Sequence, residues 1–364
     1  MTRYAGRVGV IQRVLPSYRA PFFDRLASRS DGGVSVFAGE ARAGEAIRGA
    51  DDLELAEHFH ARNRHILGGP LYFCWQAGVQ EWLTEWQPDA LIIEANPRYL
   101  SSQVAINWMG KRGGRLIGWG LGSGRGGGLT EVFTRKWRSQ FLDSFDALIA
   151  YSREGQESFA QLNLQDTQLF HAANAAVDAA AELARKGKRD LPQILFVGRL
   201  QKRKGLERLI GASLAIQDDA AHELVIVGDG PARGNLEAIV GAEEQRIRFL
   251  GGVFGAELEG LFRDADLFVL PGTGGLAIQQ AMSFGLPVIA GEGDGTQRDL
   301  LDESNGWQLL GTSQAELERV LIEALGDRKQ LRKKGLASYT KVRDEFNLDA
   351  MTDVFVEALN AGND

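Results

Sequence analysis

Short apolar runs alternate with helical stretches along the whole 364-residue chain. The runs are rich in Val, Ile and Leu, which is typical of parallel strands buried on both faces of a sheet. The stretches between them have helical spacing, as from Ser313 to Ala324, where Ser313 and Glu316 indicate a capping box. Ten strands are predicted, within residues 7–14, 33–39, 89–95, 114–120, 146–152, 193–200, 223–230, 247–252, 266–272 and 286–292. This alternation predicts an α/β protein with doubly wound parallel sheets.

The length of the chain suggests two domains. A small, polar and charged segment, DAAAELARKGKRDL (178–191), precedes a fresh series of strands and helices. We therefore predict one Rossmann-like domain over residues 1–180 and a second over residues 190–345. Ligands of such domains bind at the carboxyl ends of the strands, so we expect the site in a central cleft that both domains face.

Composition narrows the class of protein. The chain is 44% hydrophobic and 24% charged, which indicates a soluble globular protein without a membrane span or an export signal. Residues 1–180 hold 19 basic and 19 acidic residues, so the net charge of −7 lies in the remainder, which argues against nucleic-acid binding. The single cysteine, Cys74, excludes internal disulfides. A cytoplasmic location is expected.

Two glycine turns of the second half have features of an anion site. In VGRLQKRKG, Arg199 follows a strand and Lys204 opens a helix, so both cations can converge on one anionic group. In LVIVGDGP, Gly228 and Gly230 would let a flat ligand approach the backbone. A solvated basic turn and ordinary turn chemistry are the alternatives.

Together these segments resemble the C-terminal domain of glycosyltransferase family 4, a retaining group with the GT-B fold. The resemblance also rests on IRFLGGVFGAELEGLFRDADLFVLP, QQAMSFGLPVIA and NGW (305–307), in matching order over roughly residues 190–310. It implies that the second domain binds a nucleotide-sugar, whose diphosphate Arg199 and Lys204 would hold. It also implies that the last segment, 346–364, forms a helix that crosses back onto the first domain. No metal or other cofactor is expected.

This chain departs from the family pattern at two positions. The family has two glutamates eight positions apart, and here Gly272 and Gln280 replace them. Gln280 can still accept a hydrogen bond from a ribose hydroxyl, and the backbone N–H groups of residues 273–276 would contact phosphate and sugar at a helix start. The expected donor contacts are Gly198, Gly228, Gly230, Gly272, Thr273, Gly274, Gly275, Leu276 and Gln280.

In the first half, polar residues that follow strands are the candidate acceptor site. Those near the first and third predicted strands are Tyr18, Arg19, Glu94, Asn96 and Arg98, and a glycine-rich loop adds Gly122 and Arg125. A surface arginine at 19 and a structural Glu94 are the alternatives. The glycine-rich loop is interpreted as a flexible loop rather than as a dinucleotide fingerprint. Leu121 takes the place of a histidine that family members often have near this point.

The remaining charged groups support fewer conclusions. His58 and His60 do not have the spacing of a metal site, so no metal is predicted. Arg135, Lys136 and Arg138 would permit an interfacial helix and weak peripheral contact with the inner face of a membrane, with a solvated helix face as the alternative. The acceptor is then a glycan, a lipid-linked group or a small molecule.

The function expected from this resemblance is transfer of a sugar from a nucleotide-sugar to a hydroxyl acceptor, with retention and without a metal. The alternative is a catalytically degenerate GT-B protein that binds nucleotide-sugar or glycan without turnover, which the missing carboxylates favour. Retention of Arg199 and Lys204 favours the enzyme. A nucleotide-sugar epimerase of the same fold has no positive support in the sequence.

Overall fold

The computed structural model of the chain describes residues 2–42, 45, 47–50, 52–122, 131–162, 164–180, 183, 189–242, 244–293 and 295–362. The chain divides into two compact units. The first comprises Met1–Ala176 and Leu348–Asp364, and the second comprises Val177–Asn347.

A seven-stranded sheet forms the centre of the first unit. Its elements are β1 (Val8–Val14), α1 (Ala20–Ser28), β2 (Val34–Gly39), β3 (Glu57–His60), β4 (Arg62–Ile66), β5 (Phe73–Ala77), α2 (Val79–Trp86), β6 (Ala90–Glu94), α3 (Ser101–Gly110), β7 (Arg115–Gly120), α4 (Glu131–Leu142), β8 (Ala147–Ala150), α5 (Arg153–Ala160) and β9 (Gln168–His171). The sheet order is β3-β2-β1-β6-β7-β8-β9, and all its pairs are parallel. β4 and β5 pair separately as an antiparallel hairpin.

The second unit has a six-stranded parallel sheet in the order β12-β11-β10-β13-β14-β15. Its elements are β10 (Gln193–Val197), α6 (Leu206–Ala215), β11 (Glu223–Val227), α7 (Arg233–Val240), β12 (Ile247–Gly251), α8 (Gly255–Asp264), β13 (Leu267–Leu270), α9 (Leu276–Ser283), β14 (Val288–Ala290), α10 (Thr296–Leu300), β15 (Gly306–Gln308), α11 (Gln314–Gly326) and α12 (Arg328–Asp344). Strands such as β13 are buried at every position, because helices cover both faces of the sheet.

The last helix, α13 (Leu348–Asn360), belongs to the first unit. Its Phe355 is fully buried and meets Phe22 of α1 and Trp119 of β7, with ring centroids 4.8 and 5.0 Å apart. Such aromatic contacts add to the free energy gained by burying apolar surface. The helix is therefore part of one of the two apolar layers of this unit.

All ten predicted strands are present and parallel, so the α/β class is confirmed. Five strands were not among the predicted runs: β3, β4, β5, β9 and β15. β3 and β4 have polar sequences, EHFH and RNRHI, with mostly exposed or half-buried side chains. Strands that are covered on few sides lack the continuous apolar run by which the others were recognised.

The boundary between the units lies a few residues from the expected one. Residues 177–180 belong to the second unit, because the Ala180 N–H donates to the Ser283 carbonyl and Tyr339 donates to the Ala180 carbonyl. Phe346 also belongs there, since its carbonyl accepts from the Gln279 side chain. Long-range hydrogen bonds, which the sequence pattern does not reveal, therefore tie these residues to the second unit.

Candidate nucleotide-sugar and acceptor sites

In both sheets successive strands are first added on one side of the first strand and then on its other side. The reversal lies between β10 and β13 in the second unit, and between β1 and β6 in the first. In doubly wound sheets this reversal opens a crevice at the carboxyl ends of the strands, where ligands bind. In the second unit Arg199 and Lys204 lie on the loop that follows β10, and residues 272–275 lie on the loop that follows β13.

Lys204 occupies the crevice of the second unit. It ends a 3₁₀ turn, Lys202–Lys204, between β10 and α6, and its side chain is only 9% exposed. Its Nζ donates to the Thr273 carbonyl oxygen at 2.5 Å. A Cβ added at Gly274 would overlap this ammonium group, so the glycine makes room for the lysine. The ammonium group thus lies beside the loop before α9. Arg199 is half-buried just after β10.

Further hydrogen bonds join the loop of Thr273 to the 3₁₀ turn. The Thr273 N–H donates to the Arg203 carbonyl at 3.1 Å, and Arg203 Nη1 donates to Thr273 Oγ1 at 2.8 Å. Arg208 of α6 donates to the Pro271 carbonyl at 2.7 Å. In this conformation a carbonyl oxygen therefore occupies the Thr273 N–H, and its contact with a ligand stays a prediction. The first turn of α9 still begins at Gly275 and Leu276, as predicted.

Gly272 does not leave the open space that was expected for a sugar. A Cβ at this position would lie 2.6 Å from the Lys204 carbonyl carbon and closer still to the Arg203 carbonyl oxygen. Real Cβ atoms essentially never make such contacts with backbone atoms. The glycine thus allows two loops to touch. It also means that the backbone, as placed, has no room for the family's glutamate.

The glycine turns after β10 and β11 also pack against each other. Gly228 has φ +131°, and a Cβ there would overlap the Gly198 carbonyl. A Cβ at Gly230 would lie 2.5 Å from the Leu200 carbonyl oxygen, while the Leu200 N–H donates to the Asp229 carbonyl at 2.9 Å. The sequence suggested that these glycines admit a ligand. The structure shows that they admit a neighbouring loop.

Gln280 and Gly272 do not line the same cavity. Gly272 and Thr273 line a cavity of about 510 Å³ with Arg203 and Arg208. Gln280, one turn into α9, instead lines a cavity of about 360 Å³ with Asp178, Glu259 and Arg263. Its proposed contact with a ribose stays a prediction.

Sequence reasoning missed Arg203 and Arg208. Arg203 contacts Thr273 directly, and Arg208 holds the loop through the Pro271 carbonyl. The signal was present in QKRKGLER, where basic residues occupy successive and helically spaced positions. Their partners lie more than 60 residues away in the sequence, so the contacts themselves could not be inferred.

The crevice of the first unit contains Glu94, at the end of β6. Its Oε2 accepts from the Arg13 N–H at 2.8 Å. Burial raises the pKa of the Glu94 carboxyl, while the Arg13 N–H and the charges of Arg13 and Arg19 oppose that rise. Arg13 also forms an ion pair with Glu45 at 2.8 Å. The first unit therefore holds a carboxyl group of perturbed pKa where a ligand site is expected.

Arg19 is buried rather than presented to a ligand. It is 4% exposed, lies over the rings of Trp119 and Tyr151 at 4.6 and 5.7 Å, and donates to Asn174 Oδ1. Tyr18, in contrast, is 42% exposed. The expectation that Arg19 meets an acceptor is thus not supported by its position. Its cation instead organises aromatic side chains near Glu94.

The other acceptor candidates lie on loops of the first unit. Asn96 Oδ1 accepts from the Arg98 N–H at 3.1 Å, which closes a turn, and the Arg98 side chain is exposed. A Cβ at Gly122 would lie 2.5 Å from Ser158 Oγ and 2.8 Å from the Gly155 Cα, so this glycine allows a close approach to α5. Arg125 lies outside the described residues.

No group of three or more His, Cys, Asp or Glu side chains within the described parts of the chain could hold a metal ion. The rings of His58 and His60 lie 4.0 Å apart. Burial lowers the pKa of His58, and His60 lowers it further.

Comparisons with known proteins agree with this architecture. Residues 191–327 match the family model for glycosyl transferases group 1. The chain is similar over 96% of its length to the structure of sucrose-phosphate synthase from Thermosynechococcus elongatus, and covers 97% of that chain with 17% identity and a TM-score of 0.72. It is also similar to the Anabaena protein HepE in complex with UDP and glucose, with 16% identity, a TM-score of 0.68 and coverage of 97% and 99% of the two chains. The protein therefore has a GT-B fold built on two Rossmann-like sheets.

Similarity in sequence is confined to part of the chain. A GDP-mannose-dependent alpha-mannosyltransferase of Mycolicibacterium smegmatis is 42% identical over 113 residues, which are 30% of this chain and 28% of that protein. The first curated relatives match over 28 to 51% of their own length.

Proposed function

We propose that this protein is a glycosyltransferase that moves a sugar from a nucleotide-sugar to a hydroxyl acceptor, with retention and without a metal. The buried Lys204 ammonium in the crevice of the second unit is the observation that carries the proposal. The segment similar to group 1 glycosyltransferases, 191–327, includes this lysine and the loop that it contacts. A mannosyltransferase relative and a structural neighbour with bound UDP support a nucleotide-linked donor.

The chemistry of sugar transfer explains why a lysine is useful here. Cleavage of the sugar–phosphate bond leaves negative charge on the departing diphosphate, and a fixed cation stabilises that charge in the transition state. Lys204 and Arg199 would supply this cation from the two ends of one loop. In a retaining reaction the departing phosphate can itself take the acceptor proton, so no protein base is required.

The acceptor would bind in the crevice of the first unit. Glu94 has one oxygen bonded to the Arg13 N–H, and its pKa is raised by burial. A carboxyl group in such a place can accept a hydrogen bond from an acceptor hydroxyl. Exposed Tyr18 and Arg98 are further proposed contacts. A glycan, a lipid-linked group and a small molecule are all compatible with this chemistry.

Loss of turnover is the competing proposal. Gly272 and Gln280 replace two carboxylates, and the backbone around Gly272 leaves no space for a side chain. A protein of this kind would bind nucleotide-sugar through Lys204 without transferring it. Measurements of binding and of turnover separate the two proposals.

The first experiment is a thermal-shift panel of UDP-, GDP-, ADP- and dTDP-sugars on the full chain. A ligand at ~100 times its dissociation constant adds about 2.7 kcal/mol to the free energy of unfolding, which such a panel detects. The donor that it identifies is then incubated with candidate acceptors, and release of the nucleoside diphosphate is measured. Binding without release in any acceptor mixture would favour the degenerate protein.

The second experiment changes the diphosphate contacts. Lys204→Ala and Arg199→Ala should each weaken donor binding or turnover by roughly 10- to 150-fold, because a charge-assisted hydrogen bond contributes ~1.5–3 kcal/mol. Lys333→Ala, an exposed lysine of α12, is the matched control and should change neither. Unchanged donor binding in both site variants would reject this crevice as the donor site.

A further inference from the structure

The tip of the β4–β5 hairpin exposes three aliphatic side chains. Ile66, Leu67 and Leu71 are 42, 67 and 65% exposed. They lie in the sequence RHILGGPLYF, where the two strands of the hairpin end and begin. Single exposed leucines are ordinary on a protein surface, but adjacent ones at a loop tip indicate a surface that binds something apolar.

Leu67 also has a backbone conformation that leucine rarely adopts. Its φ is +59°, in the left-handed region, although the next two residues are glycines that take this conformation without strain. A leucine with positive φ costs free energy that glycine or asparagine would save. Leu67 is 67% exposed, so burial of its side chain offsets little of this cost.

Aromatic and basic residues continue this surface along the hairpin. Ile66 pairs with Phe73, and Arg64 pairs with Trp75, so these side chains share the outer face of the two strands. The Phe73 ring lies 6.4 Å from the ring of Trp137 in α4, which is 43% exposed. Tryptophan and arginine beside exposed leucines are typical of proteins at a membrane–water interface.

The charge of this region is positive although the whole chain has a net charge of −7. Residues 61–78 include two arginines, Arg62 and Arg64, and no acidic residue, and Lys136 and Arg138 flank Trp137 in α4. The Arg98 carbonyl accepts from the Cys74 N–H at 3.0 Å, which places Arg98 next to Phe73. Burial lowers the pKa of Arg138, and the nearby charge of Arg98 lowers it further.

We propose that this hairpin surface, formed by Arg64, Ile66, Leu67, Leu71, Phe73 and Trp137, docks on an anionic lipid bilayer. The leucines at the tip would enter the boundary between head groups and acyl chains. Arg64, Arg98 and Lys136 would remain at the level of the phosphates, where anionic lipids attract them. The contact is peripheral, and no helix among the described residues is long and apolar enough to cross a membrane.

The leucine tip distinguishes a bilayer from other polyanions. Nucleic acids and charged glycans would bind the same arginines, but they gain little from aliphatic side chains at a loop tip. A bilayer gains from both, because leucine transfer into lipid adds to the attraction of each cation.

The experiment is flotation of the full chain with vesicles of phosphatidylcholine alone and of phosphatidylcholine with phosphatidylglycerol. We expect binding to the anionic vesicles only, and weaker binding as the salt concentration rises. Leu67→Gly should weaken binding on the order of 10-fold or more, which is the effect of losing one inserted leucine. Lys136→Ala should weaken it by about 5-fold, as expected for one cation near the surface.

Leu67→Gly also controls for folding, because glycine accepts φ +59° without strain and should leave the unfolding temperature unchanged or higher. Leu336→Ala, which removes a leucine of α12 that is 57% exposed, should leave vesicle binding unchanged. Failure of the wild-type chain to float with anionic vesicles would overturn the proposal. It would also be overturned if duplex DNA displaced the vesicles and Leu67→Gly bound both as well as the wild type does.

Discussion

Individual glycines determine how closely the loops of the second unit approach one another. Gly272 touches the Arg203 carbonyl, and Gly274 makes room for the Lys204 ammonium. Both features arise because these residues lack a Cβ, and neither requires a bound ligand. The position of Lys204 in the crevice therefore depends on two residues that carry no chemistry of their own.

Gly272 should tolerate no side chain. Gly272→Ala should lower the free energy of unfolding by ~1–3 kcal/mol, as expected when atoms are forced into occupied space. Gly272→Glu should also lower turnover if the chain is an enzyme. The control is Gly260→Ala in α8, where an added Cβ meets nothing within 4 Å. Alanine in that helix should raise stability by ~0.5–1 kcal/mol. Urea unfolding measures both, and equal stability of Gly272→Ala and wild type would contradict the packing described here.

His222 should make the chain less stable in mild acid. It is fully buried, its Nδ1 lies 2.7 Å from the Ala220 carbonyl oxygen and its Nε2 lies 2.7 Å from Ser213 Oγ. The carbonyl only accepts, so Nδ1 carries the proton and the neutral ring accepts from Ser213. Burial lowers the pKa of His222 below its ordinary value of 6.5.

As the pH falls below 6.5, His222 therefore binds a proton in the unfolded chain but stays neutral in the folded chain. The free energy of unfolding should fall by up to ~1.4 kcal/mol per pH unit from this group, until the pH reaches the folded pKa. His222→Gln should reduce this slope, measured by urea unfolding at a series of pH values. The exposed Lys333→Ala variant should preserve it. An unchanged slope in His222→Gln would show that other groups cause the acid sensitivity.

Helix starts illustrate the next level of organisation. The capping box predicted for α11 is not formed, because the Ser313 side chain makes no capping hydrogen bond. Glu316 instead accepts from the Leu310 and Gly311 N–H groups, at 2.8 and 3.1 Å. The preceding loop folds back over the start of the helix. The Glu316 carboxylate therefore accepts from N–H groups of the loop rather than from the Ser313 N–H.

The cap of α12 is formed, and the two helices make a matched test. Asp327 accepts from the N–H groups of Lys329 and Gln330 at 2.9 and 3.0 Å. Asp327→Ala should therefore cost about 1 kcal/mol of stability. Ser313→Ala should stay within about 0.5 kcal/mol of the wild type, since no cap is lost. Urea unfolding compares them, and equal losses would show that Ser313 caps α11 in solution.

The buried parallel strands were easier to predict than the β4–β5 hairpin. Buried strands such as β8 and β13 have continuous apolar sequences, which are visible without any partner. The β4–β5 hairpin has polar residues in one strand and half-buried aromatic residues in the other. The two strands pair across a loop that carries three exposed aliphatic residues. Sequence periodicity does not reveal this pairing.

At the scale of the whole molecule, the proposed sugar transfer should proceed without a divalent cation. In the proposed donor site, Lys204 and Arg199 would provide the positive charge by which a metal could otherwise neutralise a diphosphate. With the donor identified by the thermal-shift panel, turnover should persist after dialysis against excess EDTA. Complete loss of turnover that magnesium or manganese restores would contradict a lysine-based donor site, whereas partial loss restored equally by any salt would reflect ionic strength.

Sequence alone determined the class of the fold, because the apolar runs of parallel strands and the spacing of helices are encoded within each segment. It also located Lys204, through a basic glycine turn that follows a strand. Only the tertiary structure decided which groups these residues meet. Arg203 and Thr273 are 70 positions apart, and their hydrogen bonds depend on how the loops after β10 and β13 approach across adjacent strands. That approach leaves no space for a side chain at Gly272 and pairs the Thr273 N–H with the Arg203 carbonyl. Local periodicity does not reveal such contacts, because they form only when all the elements between the two loops are in place.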